Sequence, residues 1–498
     1  MKLSRILKLS RILIRTSGLG ASVLGLFAAI GCGNGSTNII HTTGNYSNTS
    51  LNGTYVYTIR GNFSSNGAPY REIGAFTADG AGNITAGSDD ASFNTGGVPT
   101  SYTGSYSVGN DGTGFLTFNN TAIGQITLAI TLVSSSKVEL MEADFDLNAT
   151  GTAELQTSTV APNGTFVFRL HQAISAQSQT FASEVGAVAI SVGTVTGGAM
   201  DQNLGGISSQ LNLTGGTFNA PGTMGRGTAS ITDSSPFSTT LVYYIVNSGK
   251  LALLVGNTKA VGSGTAELQS GAVGGGLSGT YAFGSAGDDG VFFDTTATVG
   301  SFSANGGTIN TYTFDSMQDG NYSNGSDSGT YAANANGRVA VTLNSNPSEV
   351  FWMVSPSRAF FLMNSSGKVE DGTADLQTVN SFSTSTMNGQ FAMIMGGFDF
   401  NGGQDLSRIG PMNFNGAGKL TLAELANGSA TGGGAQPPPG GGLTGSYQVD
   451  SSTGRITGTL SNSLANLDLV MYAVSGSDAY VLQTDVGTVT SGTVSLQH

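Results

Sequence analysis

The sequence predicts an all-β chain. It reads as four tandem domains of about 110 residues, each an eight-stranded antiparallel β-barrel or two-sheet sandwich. Three observations carry this. Glycine fills 76 of 498 positions, about twice its usual share of about 7%. Together with Ser, Thr and Asn it dominates the polar positions, which suits turns and strands rather than helices. Large side chains recur with a period of two, the mark of a strand with one buried face. Five landmarks also recur four times in the same order, the signature of a repeat architecture.

The N-terminus reads as an address. Five bases (Lys2, Arg5, Lys8, Arg11, Arg15) fall in the first fifteen residues, and residues 16–31 are small and apolar, ending Ala29-Ile30-Gly31 before Cys32. A basic stretch, a short apolar core and small residues at the cut describe a secretory signal. Cys32, the only cysteine of the chain, resembles the lipidated cysteine of a bacterial lipobox, with Ala29 where the lipobox usually has Leu. The expectation is a signal peptide at 1–31, a lipid on Cys32, and a flexible Gly/Ser/Asn-rich tether at 32–50. Gly33, rather than Asp, follows the cysteine, which favours an outer-membrane or cell-surface location.

The landmarks define the units. Each opens on a glycine followed by alternating large residues: Gly53 with Tyr55 and Tyr57, Gly164 with Phe166 and Phe168, Gly279 with Tyr281 and Phe283, Gly389 with Phe391 and Met393. Next come Ile73-Gly74, Val185-Gly186, Val299-Gly300 and Ile409-Gly410, then Gly104-Ser105-Tyr106, Gly216-Thr217-Phe218, Gly329-Thr330-Tyr331 and Gly445-Ser446-Tyr447. A hairpin runs from Val133, Val246, Val354 or Val474. Each unit closes on a six-residue strand: GTAELQ at 151–156 and 264–269, GTADLQ at 372–377, GTVSLQ at 492–497. Opening glycines lie 111, 115 and 110 residues apart. The resulting division is 51–160, 161–272, 276–380 and 386–498.

The first unit holds eight strand-like runs, near 54–60, 71–78, 83–87, 102–108, 114–119, 125–133, 137–145 and 151–156, punctuated by Asp-Gly turns that supply positive φ. Hairpin-like turns favour the barrel. An eight-bladed propeller is the alternative, since the Gly–small–aromatic signal recurs at half-period. The loop GGGAQPPPGGG at 432–442 reads as an exposed insertion. The pattern resembles exported bacterial proteins with tandem β domains that share this Gly-aromatic opening and G-T-A-x-L-Q close. The resemblance implies the domain and a lipoprotein; it brings no activity and no functional residues.

Chemistry is sparse. Without residues 1–31 the chain has 13 bases against 31 acids, which argues against nucleic acid as a partner. One cysteine excludes an internal disulfide and a Cys-based zinc site. Of three histidines, His41 lies in the tether, His498 is terminal, and only His171 is inside a domain. His171 reads as a surface-loop residue, with counterparts Gly61, Ala286 and Gly396. No G-x-S-x-G elbow occurs, and neither Gly367-Lys368 nor Gly418-Lys419 ends a P-loop. Asp79, Asp89 and Asp90 around a Gly-rich turn, and Asp288-Asp289 before Gly290, are weak candidates for a Ca²⁺ site. They read first as turn residues, and the second unit is read as lacking such acids. Glu142, Asp144 and Asp146 alternate along one strand, reading as a solvated outer face or, failing that, a carboxylate pair for glycoside cleavage. Trp352 sits in an apolar run and reads as core.

The expected function is therefore non-catalytic: a lipid-anchored surface protein that binds or spaces through repeated β domains, with a glycan or surface protein as partner and no cofactor. An exported polysaccharide hydrolase and a carrier of a small apolar ligand are the alternatives. A carrier needs a hollow barrel, an enzyme one concave site with convergent carboxylates.

Overall fold

The computed structural model describes residues 44–92, 99–121, 123–144, 146–174, 180–234, 238–257, 260–289, 295–345, 348–364, 367–428 and 434–498. Cys32 and residues 1–31 lie outside this set. The described chain forms four closed antiparallel barrels, at 52–155, 164–268, 279–376 and 388–496. In each, the strands pair in sequence order and the first also pairs with the last. The expected all-β tandem barrels are what forms, rather than sandwiches or propeller blades. Barrel 4 differs in one detail. Its third strand is split into Lys419–Leu422 and Leu425–Gly428, and the first piece carries the pairing to the next strand.

In barrel 1, six of the eight sequence runs fall inside observed strands. The last two overrun, because the seventh strand stops at Glu142 and the eighth at Leu155. The observed third strand (Asn83–Ser92) and eighth strand (Leu147–Leu155) also extend well past their apolar runs. Most of the extra residues are polar (Ser88, Asp89, Asp90, Ser92, Asn148, Thr150), and Ser88, Asp90 and Asn148 are met by groups of other barrels.

Each barrel interior is filled. Tyr55, Tyr57, Phe76, Tyr102 and Phe118 pack in barrel 1, Phe283, Phe302, Phe351 and Phe361 in barrel 3, and methionines 393, 395, 412 and 471 in barrel 4. A fully buried side chain of this size contributes about 1.5–3 kcal/mol. The void inside barrel 2 is only about 20 Å³, room for about one water rather than a ligand.

The landmarks now have physical reasons. The opening glycines have φ of 129°, 117°, 109° and 126°, a region L-residues avoid. A Cβ there would also sit 2.7–3.0 Å from the closing leucine of the same barrel. Gly104, Gly216, Gly329 and Gly445 pass so close to the next strand that a Cβ would lie 1.7–2.2 Å from a carbonyl oxygen. Ile73, Val185, Val299 and Ile409 point outward and pack on a neighbouring barrel.

Those outward contacts close a ring. The first three strands of barrel 1 pack on the last three of barrel 2, and the same faces meet between barrels 2 and 3 and between 3 and 4. The first three strands of barrel 4 then pack on the last three of barrel 1. A front-to-back contact repeated through a rotation that closes gives a ring rather than a filament. Tandem order alone does not imply this.

The closing glutamines are the clasps. The side-chain amide of Gln156 donates to the Met224 and Ile245 carbonyls of barrel 2 (2.9 and 2.6 Å), and Gln269 to Asn336 and Met353 of barrel 3 (3.1 and 2.8 Å). Gln377 donates to Thr453 and Ala473 of barrel 4 (2.9 and 2.8 Å). Gln497 donates to Asp111 and Leu132 of barrel 1 (3.2 and 2.6 Å), which completes the circle. The next backbone N–H repeats the pattern, from Thr157, Ser270, Thr378 and His498 to the carbonyls of Val246, Val354, Val474 and Val133. Gln497→Ala should cost about 1–2 kcal/mol, two part-buried hydrogen bonds. The loss should show as faster hydrogen exchange along the 4–1 seam, with the other three seams unchanged.

One expectation about loops is corrected and another is refined. Residues 46–50, read as tether, dock on barrel 1: Tyr46 donates its hydroxyl to Val133 and His498 carbonyls (3.2 Å each), and the Tyr106 hydroxyl donates to the Asn48 and Leu51 carbonyls. The Pro-Gly loop is exposed as expected at 436, 437 and 439–441, but its described start is docked. Ala435 donates its N–H to the Ala143 carbonyl of barrel 1, and Gln436 bridges to Ala426, so residues 434–436 lie along the 4–1 seam.

Candidate functional site

A cavity of about 1430 Å³ lies at the centre of the ring, lined by strands of all four barrels. Small-molecule sites usually measure about 300–1,000 Å³, so this one is large. Its wall is built from the outer faces of the first strands: Asn52–Phe63, Gly164–Ile174, Gly279–Asp289 and Asn388–Asp399. Alternate residues of a strand share a face. One tier of equivalent positions is Thr58, Arg169, Gly284 and Ile394. The next is Arg60, His171, Ala286 and Gly396.

This register corrects the reading of His171. It is not on a surface loop. It is 4% exposed on the first strand of barrel 2, and its structural counterpart is Arg60 rather than Gly61. Its Nδ1 is hydrogen-bonded to Ser183 Oγ (3.0 Å) and its Nε2 to Asp288 of barrel 3 (3.0 Å). Ser183, His171 and Asp288 thus follow the order of a hydrolytic triad. Ser183, however, is fully buried and does not line the cavity, so its hydroxyl has no access to a substrate carbonyl. The arrangement ties barrel 2 to barrel 3.

The cavity wall is charged, with five bases and five acids (Glu154, Glu267, Asp288, Asp371 and Asp405). Arg60, Arg71, Arg169, Lys250 and Arg358 line it, five of the thirteen bases beyond residue 31. Three of them have near acids. Lys250 bonds Glu154 of barrel 1 (2.5 Å), and Arg358 bonds both Glu267 (2.9 Å) and Asp375 (2.7 Å). Arg169 lies 3.9 Å from Asp371, with its guanidinium over the Phe360 ring. Arg60 and Arg71 make no ion pair among the described residues. Asp405, across the 4–1 seam, accepts from Asn62 (2.8 Å). Burial pushes its carboxyl pKa up, against the downward pull of Asn62 and Arg71.

Three further bases hold the seams. Arg226 grips Asp90 with two hydrogen bonds (2.7 and 2.6 Å), joined by the Tyr244 hydroxyl at 2.9 Å. Arg338 and the Trp352 indole do the same to Asp201 (2.8, 2.6 and 2.8 Å), and Arg455 and Tyr472 to Asp315 (2.7, 2.7 and 2.8 Å). Two-pronged Arg–carboxylate pairs are strong and directional. Asp201 shows that the second unit does have a counterpart to Asp90. Trp352 is buried as expected, but on the outside of barrel 3 against barrel 2. The signal in the sequence was an Asp sixteen or seventeen residues after the landmark Ile or Val of units 1 to 3, and an aromatic two before the hairpin Val of units 2 to 4. The 4–1 seam lacks the triad: Leu425 stands at the Asp position, and Thr113 and Thr131 at the Arg and aromatic positions.

The other expected sites separate. Asp79 is an exposed turn acceptor, bonded by the backbone of Ala81 (2.7 Å) and by Asn83, and these bonds hold its carboxyl below the usual range. Asp89 and Asp90 are fully buried toward the far end of the third strand. Among the described residues no group of three or more His, Cys, Asp or Glu is placed to hold a metal ion. The Asp289 side chain and Gly290 fall outside the description. Glu142, Asp144 and Asp146 do not share a solvated face: Glu142 points into barrel 1 opposite Leu128, Asp144 is half-buried and accepts from the Thr127 N–H (2.6 Å), and Asp146 is exposed.

No family model matches the chain, and no curated protein matches it. Among solved structures, isotype 1 transferrin binding protein B from serogroup B Neisseria meningitidis is similar over 72% of this chain and 83% of its own, at 9% identity and a TM-score of 0.21. A mutant transferrin binding protein B from Haemophilus parasuis Hp5 is similar over 74% and 82%, at 9% identity and a TM-score of 0.19. At these values the likeness concerns β architecture alone, and the four-barrel ring is defined by this chain's own pairings.

Proposed function

We propose that this chain is an exported, lipid-anchored binding protein that takes a polar solute into the cavity at the centre of its barrel ring. The observation that supports this is the cavity itself. Four barrels with filled interiors surround one large space, and a charge-poor chain lines it with five bases and five acids. The filled interiors give the apolar-carrier reading no space to work with. The burial of Glu142 inside barrel 1 separates the carboxylates on which the hydrolase reading depended.

Anchoring through Cys32 is tested by metabolic labelling with a radioactive fatty acid. Label should appear in the wild type and vanish in Cys32→Ser, which should also move from the membrane to the soluble fraction. Binding is tested by thermal shift against sugars, organic acids, nucleotides and amino acids, with Thr58→Trp as the blocked control. Thr58 lines the cavity from a half-buried position. A solute that raises the melting temperature of the wild type and not of Thr58→Trp supports the reading. Shifts that ignore the block would place binding elsewhere on the molecule.

A further inference from the structure

We infer that Arg60 and Arg71 form an oxyanion subsite in the cavity wall, taking the carboxylate or phosphate group of a small solute. This deepens the binding reading above and rests on it.

The two residues are directly opposite one another on the first and second strands of barrel 1. Cross-strand partners share a face with Cβ atoms about 5 Å apart, and like charges in that position repel. Only 10% of this chain is charged, so such a pairing needs a reason. The same two positions in the other barrels hold His171 with Ser183, Ala286 with Ala297, and Gly396 with Ser407. Barrel 1 alone places two guanidinium groups there.

Neither group has the duty that occupies the seam arginines. Arg226, Arg338 and Arg455 each hold a carboxylate by two hydrogen bonds. Arg71 is buried at 6% exposure, yet its hydrogen bonds run only from Nη1 to two carbonyls, Gly61 and Tyr70, at 2.7 Å each. These fix the plane of the guanidinium and leave its other edge free. Arg60 is exposed within the cavity and can close on a guest. Of the nearby acids, Asp405 accepts from Asn62 and Asp288 is held by His171, while Asp371 lies 3.9 Å from Arg169. Burial, with Arg60 adding to it, lowers the pKa of Arg71 to about 9. Asp288, Asp405 and Asp371 oppose this shift, and burial outweighs them. None of the three forms an ion pair with Arg71 among the described residues, so the cation lacks a counter-charge in direct contact. A planar or tetrahedral oxyanion between the two forks would supply that charge through charge-assisted hydrogen bonds.

The test is isothermal calorimetry on the purified protein with inorganic phosphate, sulfate and citrate as separate probes. The expected result is binding of phosphate or citrate that Arg60→Gln weakens by about tenfold or more. Lys419→Gln, an exposed base outside the cavity, should leave it unchanged. Arg60 is exposed, so its replacement should not unfold the chain. Arg71→Lys, which keeps the charge and loses the fork, should weaken binding too. Preference for phosphate over citrate, or the reverse, identifies which oxyanion the subsite suits. The inference is overturned if none of the three binds, or if Arg60→Gln and Lys419→Gln bind equally well. If anions fail while another solute still shifts melting in a Thr58-dependent way, the oxyanion subsite is rejected and the binding reading stands.

Discussion

Asp201→Ala is expected to lower stability by about 3–5 kcal/mol, the usual cost of stripping one partner from a buried ion pair. Asp201 is buried, and Arg338, the group it pairs with, is only 15% exposed. The substitution strands two donors at once, the guanidinium of Arg338 and the indole N–H of Trp352, in a seam lined by Val185, Val350 and Leu362. Asp201→Asn should cost less, because an amide oxygen still accepts one of the two. The molecule also carries its own control. At the 4–1 seam, Leu425, Thr113 and Thr131 replace the Asp, Arg and aromatic, and the apolar contacts of Ala129, Met141, Ile394 and Ile409, with buried amide hydrogen bonds of Asn148 and Asn427, hold it without an ion pair at that position. The triple variant Asp201→Leu/Arg338→Met/Trp352→Phe should therefore recover most of the loss, since apolar replacement of a whole buried ion cluster is often neutral. Urea denaturation of the three variants measures this. A cost below about 1 kcal/mol for Asp201→Ala would mean that the pair is screened as surface pairs are.

Stability should also fall as pH rises from 5 to 8. Glu72, Glu184 and Glu349 are buried inside barrels 1, 2 and 3, and burial raises each carboxyl from 4.5 to about 7. Glu72 accepts hydrogen bonds from the Tyr57 (2.5 Å) and Tyr70 hydroxyls, Glu184 from Gln202 (2.7 Å) and Glu349 from Tyr312 (2.6 Å). These bonds favour the charged form, but burial outweighs them. The folded chain therefore holds these protons at pH values where the unfolded chain has released them. The stability so gained is complete below about pH 4.5 and is lost as pH climbs through about 7, on the order of 3 kcal/mol per group. Asp450 acts in the opposite sense. Hydrogen bonds from Ser452 and Thr453 hold it down to about 2, so its contribution is lost only as pH falls from 3.8 towards 2. Melting temperature should peak near pH 5. Glu72→Gln should stabilise at pH 8 and change little at pH 5. Equal melting at pH 5 and 8, in wild type and variant alike, would contradict this.

The architecture was legible because period-two alternation and fourfold repetition both report on the barrel interior. Tyr55 and Tyr57 declare which way the first strand faces whatever surrounds the barrel. The cavity was not legible, because its wall is made of outward positions, and alternation does not say what lies outside. His171 followed an apolar run in a polar stretch, HQAISAQ, and so looked like a loop. The strand continues because Arg169 and His171 face charged partners from barrel 3 rather than bulk water. Asp90 and Asp201 stand at equivalent places, yet their common role needs Arg226 and Arg338, each more than 130 residues away. Glu142, Asp144 and Asp146 misled for the converse reason: the strand ends at Glu142, so the alternation beyond it had no sheet to act on.

Because the ring is one polypeptide, its axis need not be symmetric. A homotetramer of the same barrel would present four copies of one side chain at every depth of its central space, and could recognise only what fourfold repetition allows. Here the tier of Thr58, Arg169, Gly284 and Ile394 contains a hydroxyl, a cation, a bare backbone and a hydrocarbon. Covalent linkage lets each quarter of the wall change by itself while the clasps and buried faces stay constant, so this architecture can be retuned for a lopsided guest without redesign of its frame.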